Sequence, residues 1–310
     1  MFLFSLIFKV VTGESTSNGR IQVYDACKNL IYTFTAHDNS INQIKLLSNG
    51  NLASCSSDKT IKIWNTSTWT LIRTLFNHTD TVTNLDQIDE NTLVSVSLDQ
   101  TLRVWNMSSG AQLYQYTKGF SLWSVKLLSN GYLAVGLNTG IENLLIFNYT
   151  EGSNSVKYLK GHTGTVFDIE VLDSQYLASA SGDRSILVWD LNWTNGSFKF
   201  NLSSHKNIVV DLALISSTTW LASASEDLSI KIWDWNNGQL LFTLTGHTNI
   251  MWKGLDMYST GVLASGSLDF TIKFWNVTNG YLVQSLYSNL NISALTIIHK
   301  QSKSFKIVLN

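Results

Sequence analysis

Proline is missing from all 310 residues, which excludes proline-rich linkers between domains. Cysteine occurs twice, at Cys27 and Cys55. Neither lies in a CxxC or beside a second thiol, so a disulfide framework and zinc-ligand spacing are both excluded, and a reducing cytoplasmic or nuclear compartment fits. Charge is sparse: charged residues make up 14% of the chain and the net charge is -1. No basic footprint for a phosphate backbone exists, so nucleic acid is not expected as a partner. Long apolar runs are lacking too. Residues 1–8 are strongly apolar, but the run is short, has no basic leader and is followed by Lys9, which makes a poor export signal and no membrane span. Sequons such as Asn65, Asn106, Asn148 and Asn276 are barely enriched for a chain so rich in Asn, Ser and Thr, and do not change that reading. No segment sustains a 3.6-residue period, so helices are not expected.

What the chain does contain is a repeat, seen most plainly in GHTGTVFDIEVLDSQYLASASGDRSILVWD, residues 161–190. An aromatic residue closes each unit: Tyr24, Trp64, Trp105, Phe147, Trp189, Trp233 and Trp275. The gaps between them are 40, 41, 42, 42, 44 and 42 residues, the period of a propeller blade and not of a helical repeat. Two further marks recur. A histidine (His37, His78, His162, His205, His247) stands 27 or 28 residues before the Trp, and an aspartate (Asp58, Asp99, Asp183, Asp227, Asp269) stands 6 before it. Short β-branched or alternating segments such as 52–56 and 60–64 are separated by a tight turn through Asp58. Ser48-Asn49-Gly50, Ser129-Asn130-Gly131, Asn236-Asn237-Gly238 and Thr278-Asn279-Gly280 supply other turns. Each unit therefore reads as four short antiparallel strands and the whole as all-β.

These GH, D and W marks resemble WD repeats, and the chain is similar to the WD-repeat β-propellers of G-protein β subunits and many adaptor proteins. The resemblance covers essentially residues 20–298. It implies that His, Asp, Trp and a strand Ser form one hydrogen-bonded tetrad per blade, for instance His162, Asp183, Trp189 and either Ser179 or Ser181. The chemistry is consistent, since a buried indole N–H or imidazole left unpaired costs about 1–3 kcal/mol. The family often carries a proline in the turn after the first strand, and nothing explains its absence here.

A Ser, a His and an Asp brought together also suggest a nucleophilic triad. A catalytic site is built once, however, whereas this constellation recurs in five units, which marks it as scaffold. The tetrads use every histidine but His299, so a histidine-rich metal site is not expected either.

First strands are expected near Ile41, Val82, Leu122, Val166, Val209, Met251 and Ser293, giving a seven-bladed propeller of four-stranded antiparallel blades in one domain, 1–310. Six blades are continuous over 36–289, and the seventh is shared between 1–35 and 290–310, a closure that pairs the ends and removes free edges. Two segments claim its second strand: 8–13, joined to its neighbour by an Asn18-Gly19 turn, and 305–310, which keeps the repeat's register. The local hairpin is the slightly favoured choice, and the other segment is then a tail or a sign that the chain is a piece of a longer protein. Residues 118–147 form a degenerate blade. Lys118 stands in the His place, Phe147 replaces Trp and the hairpin through 138–143 is longer. Drift tolerated by stacked neighbours and a partner-binding loop are both open readings.

Binding candidates on the narrow rim are Phe120, Trp123, Phe167, Arg184, Lys206, Trp252 and Phe270, residue types that dominate hot spots, although Trp123, Phe167 and Trp252 fall just inside first strands and could pack between blades. The functional expectation is a non-enzymatic scaffold or adaptor that presents a rigid surface to protein or peptide partners, as a monomeric propeller within a larger complex and with no cofactor. The alternative is a small-molecule or metal site in the central channel, with or without enzymatic activity. It would need Asp86, Asp168, Glu170, Asp211 and Asp256 to meet in one opening, whereas carboxylates scattered over separate blades usually face solvent.

Overall fold

A computed structural model describes residues 7–140, 142–150, 156–192, 198–216 and 218–300. Among them the secondary structure is all strand, arranged as seven four-stranded antiparallel sheets. Blade 1 runs Ile41–Leu46, Leu52–Ser56, Ile61–Trp64 and Leu71–Leu75 from the innermost strand outward. Blades 2 to 6 repeat this order, with innermost strands Val82–Gln87, Leu122–Leu127, Val166–Val171, Val209–Ile215 and Leu255–Ser259.

The closing blade answers the question the sequence left open. Ile7–Glu14 is its second strand, pairing with Arg20–Tyr24 on one side and with the innermost strand Ile292–Lys300 on the other. Leu30–Thr35 is its outer strand. The rival segment, 305–310, lies outside the described residues. The favoured hairpin turn is a loop in which the Gly19 amide donates to the Thr16 carbonyl at 3.2 Å. Gly19 is obligatory there, because a Cβ would sit 2.2 Å from the carbonyl oxygen of Asn39.

Both faces of the middle strands are buried, since each blade is sandwiched between two others. The core accordingly consists of clusters at blade junctions. Leu144, Ile146 and Leu159 of blade 3 meet Val166, Leu187 and Trp189 of blade 4, and Ile186 and Val188 of blade 4 meet Leu221 and Trp233 of blade 5. Each closing Trp thus anchors its blade to the preceding one, which is why stacking propagates stability around a repeat array.

Turn chemistry follows the sequence. Gly50 and Gly131 take φ of 81° and 83°, the left-handed region open to glycine. More unusual are Lys59, Gln100, Arg184, Leu228 and Phe270, non-glycine residues with φ of 65–73° directly after the five repeat aspartates. The aspartate holds the turn in place: Asp58 Oδ1 accepts the Thr60 amide at 2.9 Å, and the Lys59 amide reaches the Ser56 carbonyl at 3.2 Å.

Candidate functional site

Each repeat histidine bridges its own blade. In blade 4 the Trp189 indole N–H donates to Ser179 Oγ at 2.8 Å, Ser179 meets His162 Nε2 at 2.7 Å, and His162 Nδ1 meets Asp183 Oδ2 at 2.8 Å. In the neutral tautomer with the proton on Nδ1, the Ser O–H donates to Nε2 and Nδ1–H donates to the carboxylate, so every group in the chain is bonded. The strand serine is therefore Ser179; Ser181 instead donates to the Gly164 carbonyl at 3.1 Å. Blades 1, 2, 5 and 6 have the same geometry through Ser54, Ser95, Ser223 and Ser265. A fifth member escaped sequence reading: Thr60, Thr101, Ser185, Ser229 or Thr271 donates to the aspartate's second oxygen at 2.6–2.7 Å. Burial lowers the pKa of His37 and His78 against the pull of Asp58 and Asp99. Burial pushes the five aspartates upward, but the hydrogen bonds from His and the Thr or Ser hydroxyl outweigh it and hold them far below the ordinary carboxylate range.

Because Asp58 also accepts the Asp38 amide at 3.1 Å, the histidine loop and the aspartate turn are tied at one end of every intact blade. That end surrounds one mouth of the channel. Trp123, Phe167 and Trp252 converge there: Trp123 meets Phe167 edge to face at 5.1 Å and Phe167 meets Trp252 at 5.7 Å. They come from blades 3, 4 and 6, so Trp252 leans past blade 5, whose residue at that position is the smaller Val210. Backbone geometry permits this, for residues 251–253 leave the blade 6 sheet, and Lys253 forms a bridge to Ala294 of the closing blade. The three half-buried side chains pack against one another across blades 3, 4 and 6 at this mouth. Phe120, Arg184, Lys206 and Phe270 are exposed around them on loops and turns, Phe120 and Phe270 each 46% accessible.

Beneath this plug lies a chamber of about 340 Å³. Asp86, Asp168, Glu170, Asp211 and Asp256 all line it, contrary to the expectation that carboxylates on separate blades face solvent. The reason is the innermost strand. It is the edge of its sheet, and its free N–H groups need acceptors. Asp86 accepts the Leu127 amide at 2.7 Å, Asp168 that of Leu212 at 3.0 Å, Asp211 that of Leu255 at 2.7 Å and Asp256 that of Ile297 at 2.9 Å. Gln43 does the same for Leu85 at 2.7 Å. Each acceptor latches its blade to the next.

Lysines share the chamber. Lys45 pairs with Asp86 at 2.7 Å, Lys126 with Glu170, and Lys253 with Asp168 at 3.1 Å while also donating to the Phe167 carbonyl at 2.8 Å. Burial would discharge Lys126, but Glu170 and Asp86 hold its pKa up. Burial and the neighbouring charge of Asp168 raise the carboxyl of Asp211 well above its usual value. Among the described residues no three His, Cys, Asp or Glu side chains are arranged to hold a metal ion. The condition for the channel alternative, carboxylates in one opening, is therefore met in position, but latches and lysines already occupy those carboxylates.

A second surface left no mark in the sequence. The outer strands of adjacent blades 6, 7, 1 and 2 expose Leu282, Val283 and Tyr287, then Leu30, Ile31 and Tyr32, then Leu71 and Ile72, then Leu113 and Tyr114, and Phe198 and Leu240 are exposed on those of blades 4 and 5.

Seven blades, five of them braced by a repeated Trp, Ser, His and Asp network, define a propeller of the WD-repeat class. The family described as WD domain, G-beta repeat matches residues 28–65, 69–106, 153–190, 196–234 and 238–276, more than half of the chain, and the protein belongs to this WD40 family. The degenerate blade falls in the gap between the second and third matches. Among relatives, the chain is 28% identical to Nuclear distribution protein PAC1-2 of Uncinocarpus reesii over 66% of its own length and 51% of that protein's. It is 29% identical to Nuclear distribution protein PAC1 of Candida glabrata over 72% and 48% of the respective lengths. It is 33% identical to Small ribosomal subunit protein RACK1 of Schizosaccharomyces pombe over 24% and 26%. The chain thus spans about half the length of the two nuclear distribution proteins it matches. No helix among the described residues is long and apolar enough to cross a membrane.

Proposed function

We propose that the protein is a non-enzymatic interaction scaffold that docks protein or peptide partners on its narrow, plugged mouth, as a single propeller in the cytoplasm or nucleus. WD40 membership supports the general role. The observation that carries the choice of face is the distribution of polar chemistry. The Ser, His and Asp groups that could act on a substrate bond one another, and the channel acids bond the next blade, whereas Phe120, Arg184, Lys206 and Phe270 stand exposed around a rigid aromatic centre. Exposed aromatic and Arg side chains on preorganised turns suit a hot spot, because little entropy is lost on docking.

The test is affinity capture from native lysate with the intact chain and with Arg184→Ala/Trp252→Ala/Phe270→Ala, both checked for folding. A stoichiometric partner lost only from the variant supports docking at this mouth; a partner retained by the variant contradicts it. The apolar outer strands of blades 6, 7 and 1 favour a second reading, a partner seated on the outer wall. Tyr287→Ser/Tyr32→Ser would then release a partner that the first variant keeps.

A further inference from the structure

Among the described strands, each outer strand bonds only the third strand of its own blade, which leaves its other edge of N–H and C=O groups open. Such an edge recruits another strand unless charge or proline blunts it. The chain has no proline, so charge must serve. Arg73, Lys157 and Lys199 stand on the outer strands of blades 1, 3 and 4. The outer strands of blades 2, 5, 6 and 7 carry no charged residue. Blades 5, 6 and 7 are consecutive, so one sector of the wall has three unguarded edges in a row.

Blade 6 is the centre of that sector and its most exposed part. Tyr281, just before its outer strand Leu282–Tyr287, is 73% accessible, and Leu282, Val283 and Tyr287 are 46%, 57% and 81% accessible. Leu240 of blade 5 and Leu30, Ile31 and Tyr32 of blade 7 flank it at 40–49%. Two lysines come near this strand, and both are engaged within the ring. Buried Lys273, on the third strand, donates to Ser285 Oγ at 3.0 Å. Lys28, in the closing blade, lies over the Phe274 ring at 4.1 Å and donates to Gln284.

The occupant that fits an edge without charge is the same edge of a second copy. A two-fold axis normal to the blade 6 sheet sets Leu282–Tyr287 antiparallel to itself, so its side chains meet side chains of the same strand. A charge there would face its own sign at short range. An isologous contact therefore favours a neutral strand, whereas a different protein is commonly selected by complementary charge. The area also suffices. The four side chains expose roughly 600 Å² per copy before the backbone edge is counted, so a pair can bury about 1,200 Å², the lower end for a specific complex. Blade 2, equally free of charge, exposes two large side chains on its outer strand, Leu113 and Tyr114, and lies between Arg73 of blade 1 and Lys157 of blade 3.

We infer that the chain forms a two-fold dimer in which Leu282–Tyr287 pairs antiparallel with the same strand of a second copy, joining two blades into one eight-stranded sheet. Each copy remains a single propeller. Its mouths lie at the ends of the channel, away from the wall, so the dimer presents two plugged mouths at once. The inference stands whether or not those mouths dock partners.

The test is sedimentation velocity of the full chain from about 1 to 200 µM, with amide exchange at both ends of that range. A monomer–dimer equilibrium in the micromolar range is expected, with exchange over 282–287 slowed at high concentration as the open N–H groups gain partners. Val283→Lys/Tyr287→Lys, at two exposed positions on one face of the strand, should weaken the dimer about tenfold or more. The matching change on blade 2, Leu113→Lys/Tyr114→Lys, should leave it unaltered. The inference is overturned by a wild type that stays monomeric, by a dimer without protection at 282–287, by a dimer that survives the blade 6 variant, or by equal loss in the blade 2 variant. A monomeric wild type whose captured partner is released by Val283→Lys/Tyr287→Lys also overturns it, and gives the wall to a different protein. Exchange is read on the wild type, so the test stands even where a variant fails to fold.

Discussion

Blades 3 and 4 sit side by side with the same four-stranded topology, yet polar bonds brace one and packing braces the other. Blade 4 has the full Trp189, Ser179, His162 and Asp183 chain. In blade 3 the serine position is Val135, Phe147 stacks on Tyr116 at 4.5 Å, and Lys118, in the histidine place, lies over the Tyr158 ring at 4.6 Å. The longer hairpin is held by Asn143. Its carbonyl oxygen accepts the Thr139 and Gly140 amides, and its amide donates to the carbonyls of His162 and Gly164 in blade 4. The blade 3 hairpin is thus tied to the histidine loop of blade 4, whereas the tetrad ties each histidine loop to the hairpin turn of its own blade. What must be conserved physically is the tie, because it fixes the loops that frame the mouth.

Substitutions can break that contrast. Trp189→Ala removes both the blade 4 anchor and a packing partner of blade 3, and should cost about 3–5 kcal/mol in denaturant unfolding. His162→Leu leaves Ser179 and the charged Asp183 short of a partner and should cost about 2–3 kcal/mol, whereas Lys118→Leu at the matching place in blade 3 should cost less than about 1 kcal/mol. Equal losses at the two positions would refute the distinction. Asn143→Ala should cost about 1–3 kcal/mol and increase amide exchange in 138–143. The smallest effect belongs to the turns: Phe270→Gly relieves a left-handed aromatic residue and should raise stability by up to about 1 kcal/mol, read as an upward shift of the melting temperature.

Acid sharpens the same comparison. His37 and His78 have folded pKa values below the unfolded one, so the unfolded chain binds more protons and their contribution declines as pH falls below about 6.5. The repeat aspartates also have depressed folded pKa values, and their contribution is present above about pH 4 and lost as pH falls toward those values. Unfolding midpoints measured from pH 8 to pH 3 should therefore fall gently at first and then steeply. By exchange, blade 3, which like the closing blade lacks the repeat His and Asp, should respond locally later than the five tetrad blades.

The fold was legible because its marks are periodic: a His, Asp and Trp at fixed spacing, with glycine turns between, specify the blade and its count. The chamber was not. Which way an innermost side chain points depends on a bulge near the start of the strand, as between Val166 and Asp168 or Val209 and Asp211, and one extra residue flips the alternation. The targets of Asp168 and Asp211 are, moreover, backbone amides one blade away, which carry no residue signature. The meeting of Trp252 with Phe167 was equally hidden, since it depends on residues 251–253 leaving their sheet and on Val210 being small. Two tryptophans in comparable strand positions told nothing of a plug on one side of the mouth.

The most direct measurement is amide hydrogen exchange on the chain alone and saturated with its captured partner. The expected result is protection concentrated in the loops and turns of the plugged mouth, at 38–42, 80–83, 118–123, 182–184 and 268–270, with the outer strands unchanged. Protection confined to Leu30–Thr35, Leu71–Leu75 and Leu282–Tyr287 would contradict docking at the mouth and place the partner on the outer wall.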